Sequence, residues 1–395
     1  LIFERILQQK SFLIPIKAIF SKLKITAMNN KLLLAALTVS LTISSASASD
    51  DSFSVSELAP IYRSYADPLF TSVGSFMGAG WSHTAELHKF PGFDLTIGAT
   101  VAKMPSSVGT FNLGNIGLDA SKYHGANNTS ISKLVAPTFT NNSNDKAPKL
   151  YRDFSSKQVG DKAIEIPMLD GNDLDFLGIP LLQVGVGLPK GTEIQLRLMP
   201  GAKSIVDKLM DAEDFSVDKL SMWGAGLKHD IKQWIPVLSE VPFLQISTQL
   251  TYSQFKSEFS GSKLSLKPSD FRSDFSDGTQ KWDDQSIAVG ISSFTGALLV
   301  GASLPVFQPY LGLGFNNCKY VTQLNGNYPK ITYSESNKSF DYEIEKDPVD
   351  DEVKDTHLNT MMGFRLKLSV IALYYQFDIQ KDYKNHTAGL AITIR

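Results

Sequence analysis

Six histidines and one cysteine are the side chains in this 395-residue chain best suited to metal binding or nucleophilic chemistry. His83 and His88 lie closest together, but five steps along an extended strand put them on opposite faces. His124, His229, His357 and His386 fall separately on loops and strand ends, so all six read as solvated side chains. A hydrolase needs a base and an orienting partner beside a nucleophile or an activated water. No serine has a His partner on the same strand face, and no pattern of paired acids with His stands out. The sequence therefore predicts no enzyme.

The acidic run Asp347, Asp350, Asp351, Glu352 and Asp355 could hold calcium or bridge to lipopolysaccharide through divalent ions. It lacks the spaced D-x-D-x-D-G pattern of a calcium loop and reads better as a solvated loop face. Asp170 to Asp173 reads as turn chemistry. Cys318, the lone cysteine, reads as a small apolar filler. Gly224-Ala-Gly226 and Gly312-Leu-Gly314 sit within strand patterns, where glycine eases curvature or close approach and cradles no phosphate. No cofactor and no metal follow from these residues.

The elements that would carry any site are strands. Leu358, Thr360, Met362, Phe364, Leu366, Leu368 and Val370 share one face, against Asn359, Gly363, Arg365, Lys367 and Ser369. Ile371 to Ile379 and Ala388 to Ile394 repeat the alternation. Strands of about ten residues, tightly joined, mark a transmembrane β-barrel, although a sandwich alternates in the same way.

The other end of the chain carries a targeting signal. Residues 1–27 read as upstream translation. Met28, Lys31, the apolar run Leu32 to Ile43 and Ala46-Ser47-Ala48 make a secretory signal peptide over 28–48. Removing residues 1–48 takes six of 38 Lys/Arg and one of 40 Asp/Glu, leaving a formal net charge of −7. That argues against a nucleic-acid partner.

Residues 49–80 read as a helical segment. Ser54-x-x-Glu57 is a capping box, and Leu58, Ile61, Tyr62, Tyr65, Leu69, Phe70, Val73, Phe76 and Met77 recur at helical spacing. Pro68 is expected to interrupt the helix, with a second one starting behind Asp67. The segment either plugs a barrel over 81–395 or packs on its rim; amphipathicity does not choose.

Eleven strands are visible, the first at Trp81 to His88 and the second from Phe93. Barrels normally have an even number, so Thr110 to Leu118 is the candidate for a twelfth, and a pair within 120–180 would make fourteen. The expected fold is thus an all-β antiparallel transmembrane barrel of about 12–14 strands. Counting back from a periplasmic C-terminus, the long polar stretches 201–217, 257–284 and 317–356 land outside, while 189–191 and 229–242 land in the periplasm. Ile231, Trp234, Ile235 and Leu238 suggest a short interfacial helix there, with Trp234 as a headgroup-level anchor.

The blocks GWSHTAELHKFPGFDLTIGATVAKMP, WGAGLKHDIKQWIPVLSEVPFLQISTQLTYSQF, QPYLGLGF and MMGFRLKLSVIALYYQFDIQK resemble an uncharacterised bacterial family of exported proteins. That family is similar in layout to outer-membrane long-chain fatty-acid transporters, a fold-level analogy. The resemblance covers about Leu58 to Arg395, outside loops 119–180 and 317–356. It implies an N-terminal segment that enters the lumen and a path for hydrophobic molecules. Tyr62, Tyr65, Phe70, Phe76, Met77 and Trp81 would line that path, with Arg365 and Lys367 facing the lumen. One departure is the C-terminal Ile394-Arg395, where such barrels usually end in an aromatic residue.

Three readings follow. The first is an outer-membrane barrel of a Gram-negative bacterium passing a small hydrophobic or amphipathic molecule. The second is a non-conducting surface barrel presenting long loops for structure or adhesion. The third is a soluble secreted β protein. Membrane lipid and the outer-membrane assembly machinery are the partners the first two imply.

Overall fold

The computed structural model describes residues 51–142, 144–154, 163–200, 216–261, 265–279, 282, 284–334 and 336–394. Residues 1–27 and 28–48, expected to be upstream translation and a signal peptide, lie outside the described residues, as does most of the stretch 201–217. Ten antiparallel strands close a barrel: β1 (Phe93–Lys103), β2 (Phe176–Leu188), β3 (Thr192–Leu198), β4 (Ser216–Asp230), β5 (Leu244–Ser260), β6 (Ser286–Ala302), β7 (Phe307–Asn325), β8 (Val349–Leu368), β9 (Ile371–Gln380) and β10 (Tyr383–Ile394). Each pairs with the next in sequence, and β10 closes on β1, from Lys384 against Lys103 to Ile394 against Phe93. Every barrel strand thus has a ladder neighbour on both sides, as a chain crossing lipid requires.

The alternation read from the sequence sets the two faces. On β5, Ser247, Gln249, Thr251, Ser253 and Phe255 are buried inward, while Leu250 and Tyr252 are exposed outward. Leu298, Leu311, Leu313, Leu358, Met362, Leu390 and Ile392 continue the exposed apolar face around neighbouring strands. An apolar band of that extent is unstable in water and stable in lipid, so the barrel is a transmembrane one. At one end the strands are joined by short turns, with positive φ at Lys190, Gly191 and Ser369. At the other end the connections are long, except for the two-residue turn Lys381-Asp382 between β9 and β10.

Ten strands replace the expected 12–14 for two reasons. Residues 81–88 are not a strand: this stretch runs through the barrel interior, and the first barrel strand starts at Phe93. The candidate strand at 110–118 and the sought pair within 120–180 instead belong to a cap over the long-connection end. Its short strands Thr110–Asn112 and Val135–Pro137 pair together, and Leu150–Asp153 lies between Tyr123–Gly125 and Ala163–Ile166. Nor is 317–356 a loop. β7 and β8 run on beyond the apolar band, and Asn327–Ser334 pairs with Ser339–Lys346 as a hairpin.

The N-terminal strand Asp51–Phe53 adds to that hairpin, Phe53 opposite Ile331. Ser54 and Glu57 form the capping box, at the start of a 3-10 turn, Val55–Leu58. One continuous helix follows, α1 (Ala59–Gly78). Pro68 does not end it, contrary to expectation; the Pro68 carbonyl is held by the Tyr383 hydroxyl at 3.0 Å. α1 packs against the inner faces of β1, β5, β6, β7 and β10. An eight-stranded barrel is filled by its own side chains, whereas ten strands leave room for a helix about 10 Å across.

Candidate functional site

The lumen is where the sequence places its polar residues against its N-terminal segment. Near the long-connection end it is apolar. Val73, Phe76 and Met77 of α1 sit among Leu177, Ile179, Leu181, Met222, Phe255 and Ile291, with Phe70 packed at the edge. Three glycines let helix and wall approach closely. A Cβ at Gly74 would lie 2.6 Å from the Tyr320 hydroxyl, one at Gly78 2.7 Å from Thr295 Oγ1, and Gly80 has φ +66°.

Toward the short-turn end the wall is polar, and residues 79–92 fill it as irregular chain. Backbone groups without a ladder must find other partners, and here inward side chains supply them. Arg197 donates to the carbonyls of Ala79 at 2.8 Å and Gly80 at 2.6 Å, and lies 4.0 Å over the Trp81 ring. Trp81 Nε1 donates to the Met77 carbonyl at 2.9 Å. Tyr310 donates to the Ser82 carbonyl, Ser247 to that of Ala85 at 2.9 Å, and Lys228 to those of Thr84 and Glu86. Higher up, Asn316 donates to the Gly74 carbonyl at 3.1 Å, and Asn385 reaches Ser75 Oγ at 2.7 Å. These inward polar residues alternate with lipid-facing ones, so the sequence pattern marked them as lumenal without naming what they hold.

His83 and His88 are the main correction. Both are buried, at 6% and 7% exposure, and both turn toward Asp94: His88 Nε2 lies 3.0 Å and His83 Nδ1 3.8 Å from its Oδ2. Arg365 Nη1 approaches the same oxygen at 3.2 Å, and His83 stacks on Tyr374 with centroids 3.9 Å apart. Strand periodicity failed here because 81–88 is not a strand. A His–Asp pair is half of a proton relay, but none of these groups has a face open to substrate. The cluster ties the lumenal segment to β1 and β8.

The remaining sequence-chosen residues fall into three places. Trp81, Phe76 and Met77 are enclosed by the lumen, and Lys367 pairs with Glu86 at 2.7 Å where that segment leaves it. Tyr62 and Tyr65 lie in the cap, Tyr62 against its apolar core and Tyr65 donating to the Asp170 carbonyl at 2.9 Å. Burial raises the Tyr65 hydroxyl pKa to about 12. Trp234 lies at the short-turn end, 67% exposed, in a 3-10 turn (Lys232–Trp234) before the one-turn helix Pro236–Ser239, and it donates to His229 at 3.0 Å. The acidic run 347–355 is not a free loop face. Glu352 pairs with Lys319 and Lys354, Asp351 with Arg63, and Asp355 with Lys381.

Sequence reasoning missed Arg152 altogether. It is fully buried in the cap, stacked 4.2 Å over Phe154, and donates to the Ser52 carbonyl at 2.8 Å and to Asp51 at 3.1 Å. Glu57 lies 3.5 Å from its Nε and accepts from Tyr123 at 2.9 Å. Nothing in the local sequence distinguishes this arginine from a surface one.

Solved structures similar to the chain are outer-membrane barrels, at low overall likeness. The translocator domain of the autotransporter NalP from Neisseria meningitidis is 10% identical, with a TM-score of 0.28, covering 87% of this chain and 100% of that one. Ail from Yersinia pestis is 6% identical, with a TM-score of 0.24 and coverages of 77% and 99%. The toluene transporter TodX from Pseudomonas putida is 8% identical, with a TM-score of 0.19 and coverages of 81% and 96%. No curated protein matches the chain. The profile of a family described as a family of unknown function (DUF6588) matches residues 26–394, and the chain belongs to that family.

Proposed function

We propose that this protein is a closed, non-enzymatic outer-membrane barrel that holds a folded cap at the cell surface. The observation that carries the reading is that the lumenal segment is fixed at both ends. At its start, Asp51–Phe53 adds to the cap hairpin and Arg152 grips Asp51 and Ser52. At its end, the segment continues directly into β1, and Asp94 of β1 draws in His88. Between those points the wall's polar groups meet the segment's carbonyls. In this reading residues 28–48 are a cleaved export signal, the assembly machinery of a Gram-negative outer membrane inserts the barrel, and the cap meets the outside. The test is uptake by liposomes carrying the purified full chain: sugars and a hydrophobic dye should enter no faster than into empty liposomes.

A second reading, a passive channel for a small hydrophobic or amphipathic molecule, is favoured by the apolar half of the lumen. If α1 shifted, Leu177, Ile179, Leu181 and Phe255 would line a greasy entry above a polar collar. Tyr62, Tyr65, Phe70, Phe76, Met77 and Trp81 would then border the path. A disulfide made by Ser75→Cys with Asn385→Cys, in a Cys318→Ser background, separates the readings. It would abolish dye uptake by a channel that works by moving α1, and would change nothing in a closed barrel.

A further inference from the structure

On the outer face of the barrel, four of five consecutive strands carry one sequence of chemistry as they leave the apolar band. β4 runs Trp223, Ser221, Lys219; β5 runs Tyr252, Gln254, Lys256; β7 runs Phe315, Asn317, Lys319; β8 runs Leu358, Thr356, Lys354. Trp223 and Tyr252 are 5.8 Å apart and Phe294 and Phe315 6.0 Å apart, forming the aromatic border that barrels place at the lipid–water interface. Four residues further along a strand is about 13 Å at about 3.3 Å per residue, less once strand tilt is counted. The lysines therefore stand at headgroup level, where long cationic side chains extend from apolar surface into the polar layer.

β6, between β5 and β7, breaks the pattern. It presents Phe294, Ser292, Gly290 and Ala288, so small residues lie between the lysine-bearing strands. The result is a groove of about 1040 Å³ with Gly290 and Ser292 on its floor and Lys219, Lys256, Lys319 and Lys354 around it. Glu352 is shared by Lys319 and Lys354, Glu258 pairs with Lys219, and Lys256 has no ion-pair partner among the described residues. Asp218 stands beside Lys219, so four lysines face three acids here.

We propose that this groove binds the phosphorylated headgroup of an outer-leaflet glycolipid, with the lysines on the phosphates and the acyl chains running down past Phe294 and Phe315. A lipid is favoured over a soluble anion because the groove opens directly onto the lipid-facing band. Headgroup-level lysines are also the usual partners of anionic lipids. The assignment is independent of whether the lumen conducts.

The experiment is thermal unfolding of the full chain in a neutral detergent, followed by its heat-dependent gel mobility. It is titrated with lipopolysaccharide, with dephosphorylated lipopolysaccharide, or with inorganic phosphate. Lipopolysaccharide should raise the transition temperature and the other two should not. Lys256→Gln with Lys319→Gln should raise the lipopolysaccharide concentration needed at least tenfold. Gly290→Leu should do the same with every charge retained, since a Cβ there meets only Val321 at 3.7 Å and the longer side chain fills the groove. Lys103→Gln with Lys384→Gln, on the distant β1–β10 pair, should respond like the wild type. The proposal fails if inorganic phosphate reproduces the effect, if Gly290→Leu responds normally, or if the distant pair matters as much.

Discussion

Arg197 and Trp81 are stacked inside the barrel, the guanidinium 4.0 Å from the indole ring, while the same guanidinium holds the Ala79 and Gly80 carbonyls. One wall residue thus fixes the point where α1 ends and irregular chain begins. Hydrogen bonds to a charged group contribute about 1.5–3 kcal/mol each. Arg197→Ala should therefore cost about 3 kcal/mol or more, since it also leaves buried carbonyls unpaired. Arg197→Lys should recover only part, having no planar fork. The midpoint of the heat-dependent gel shift measures both.

The close approach at the helix end gives a second outcome. Gly80 has φ +66°, and a Cβ there would collide with the hydroxyl and the methyl group of Thr387. Gly80→Ala should destabilise by about 1–3 kcal/mol through backbone strain and crowding. Combining it with Thr387→Ala, which removes both the crowding hydroxyl and the crowding methyl group, should recover part of the loss in the same assay.

Lipid-facing positions should be sensitive to charge by depth. Leu313 is 59% exposed, and its outward neighbours across the ladders are Leu298 and Thr360. Leu313→Arg should cost about 2–4 kcal/mol if it lies near mid-membrane. Asn317→Arg, near the headgroups, should cost about 1 kcal/mol or less. Equilibrium unfolding in lipid vesicles compares them; equal costs would argue against the assigned band.

Arg152 gives a prediction for the cap. Arg152→Ala removes its bonds to Asp51 and Ser52 and opens a cavity among Phe53, Phe154 and Tyr123. The N-terminal strand should then be cut by added protease while the barrel stays resistant and heat-modifiable. Joint loss of cap and barrel would show that the two do not unfold separately.

The barrel was legible because period-2 alternation is set by the requirement that each wall face one solvent. Leu358 to Val370 and Leu244 to Tyr252 could be assigned to faces from sequence alone. The same rule misread Trp81 to His88, whose alternating residues satisfy the strand pattern while the chain runs inside the lumen. Gly74, Gly78 and Gly80 were visible as a loosening of the chain, but their close approach to Tyr320, Thr295 and Thr387 depends on strands far away in sequence. The convergence of His83, His88 and Arg365 on Asp94 was hidden for the same reason: it joins three segments by register. Pro68 misled in the other direction: α1 runs through it, packed against five strands of the wall, most of them far away in sequence.

Single-channel recording on the full chain in a planar bilayer tests the closed-lumen account most directly. The account predicts no conductance above the bare membrane for the wild type. It predicts steady conductance for a folded, heat-modifiable Arg197→Ala protein, in which the Ala79 and Gly80 carbonyls are released from the wall. Regular open events from the wild type, silenced by the Ser75→Cys and Asn385→Cys crosslink, would contradict it and establish a channel gated by α1.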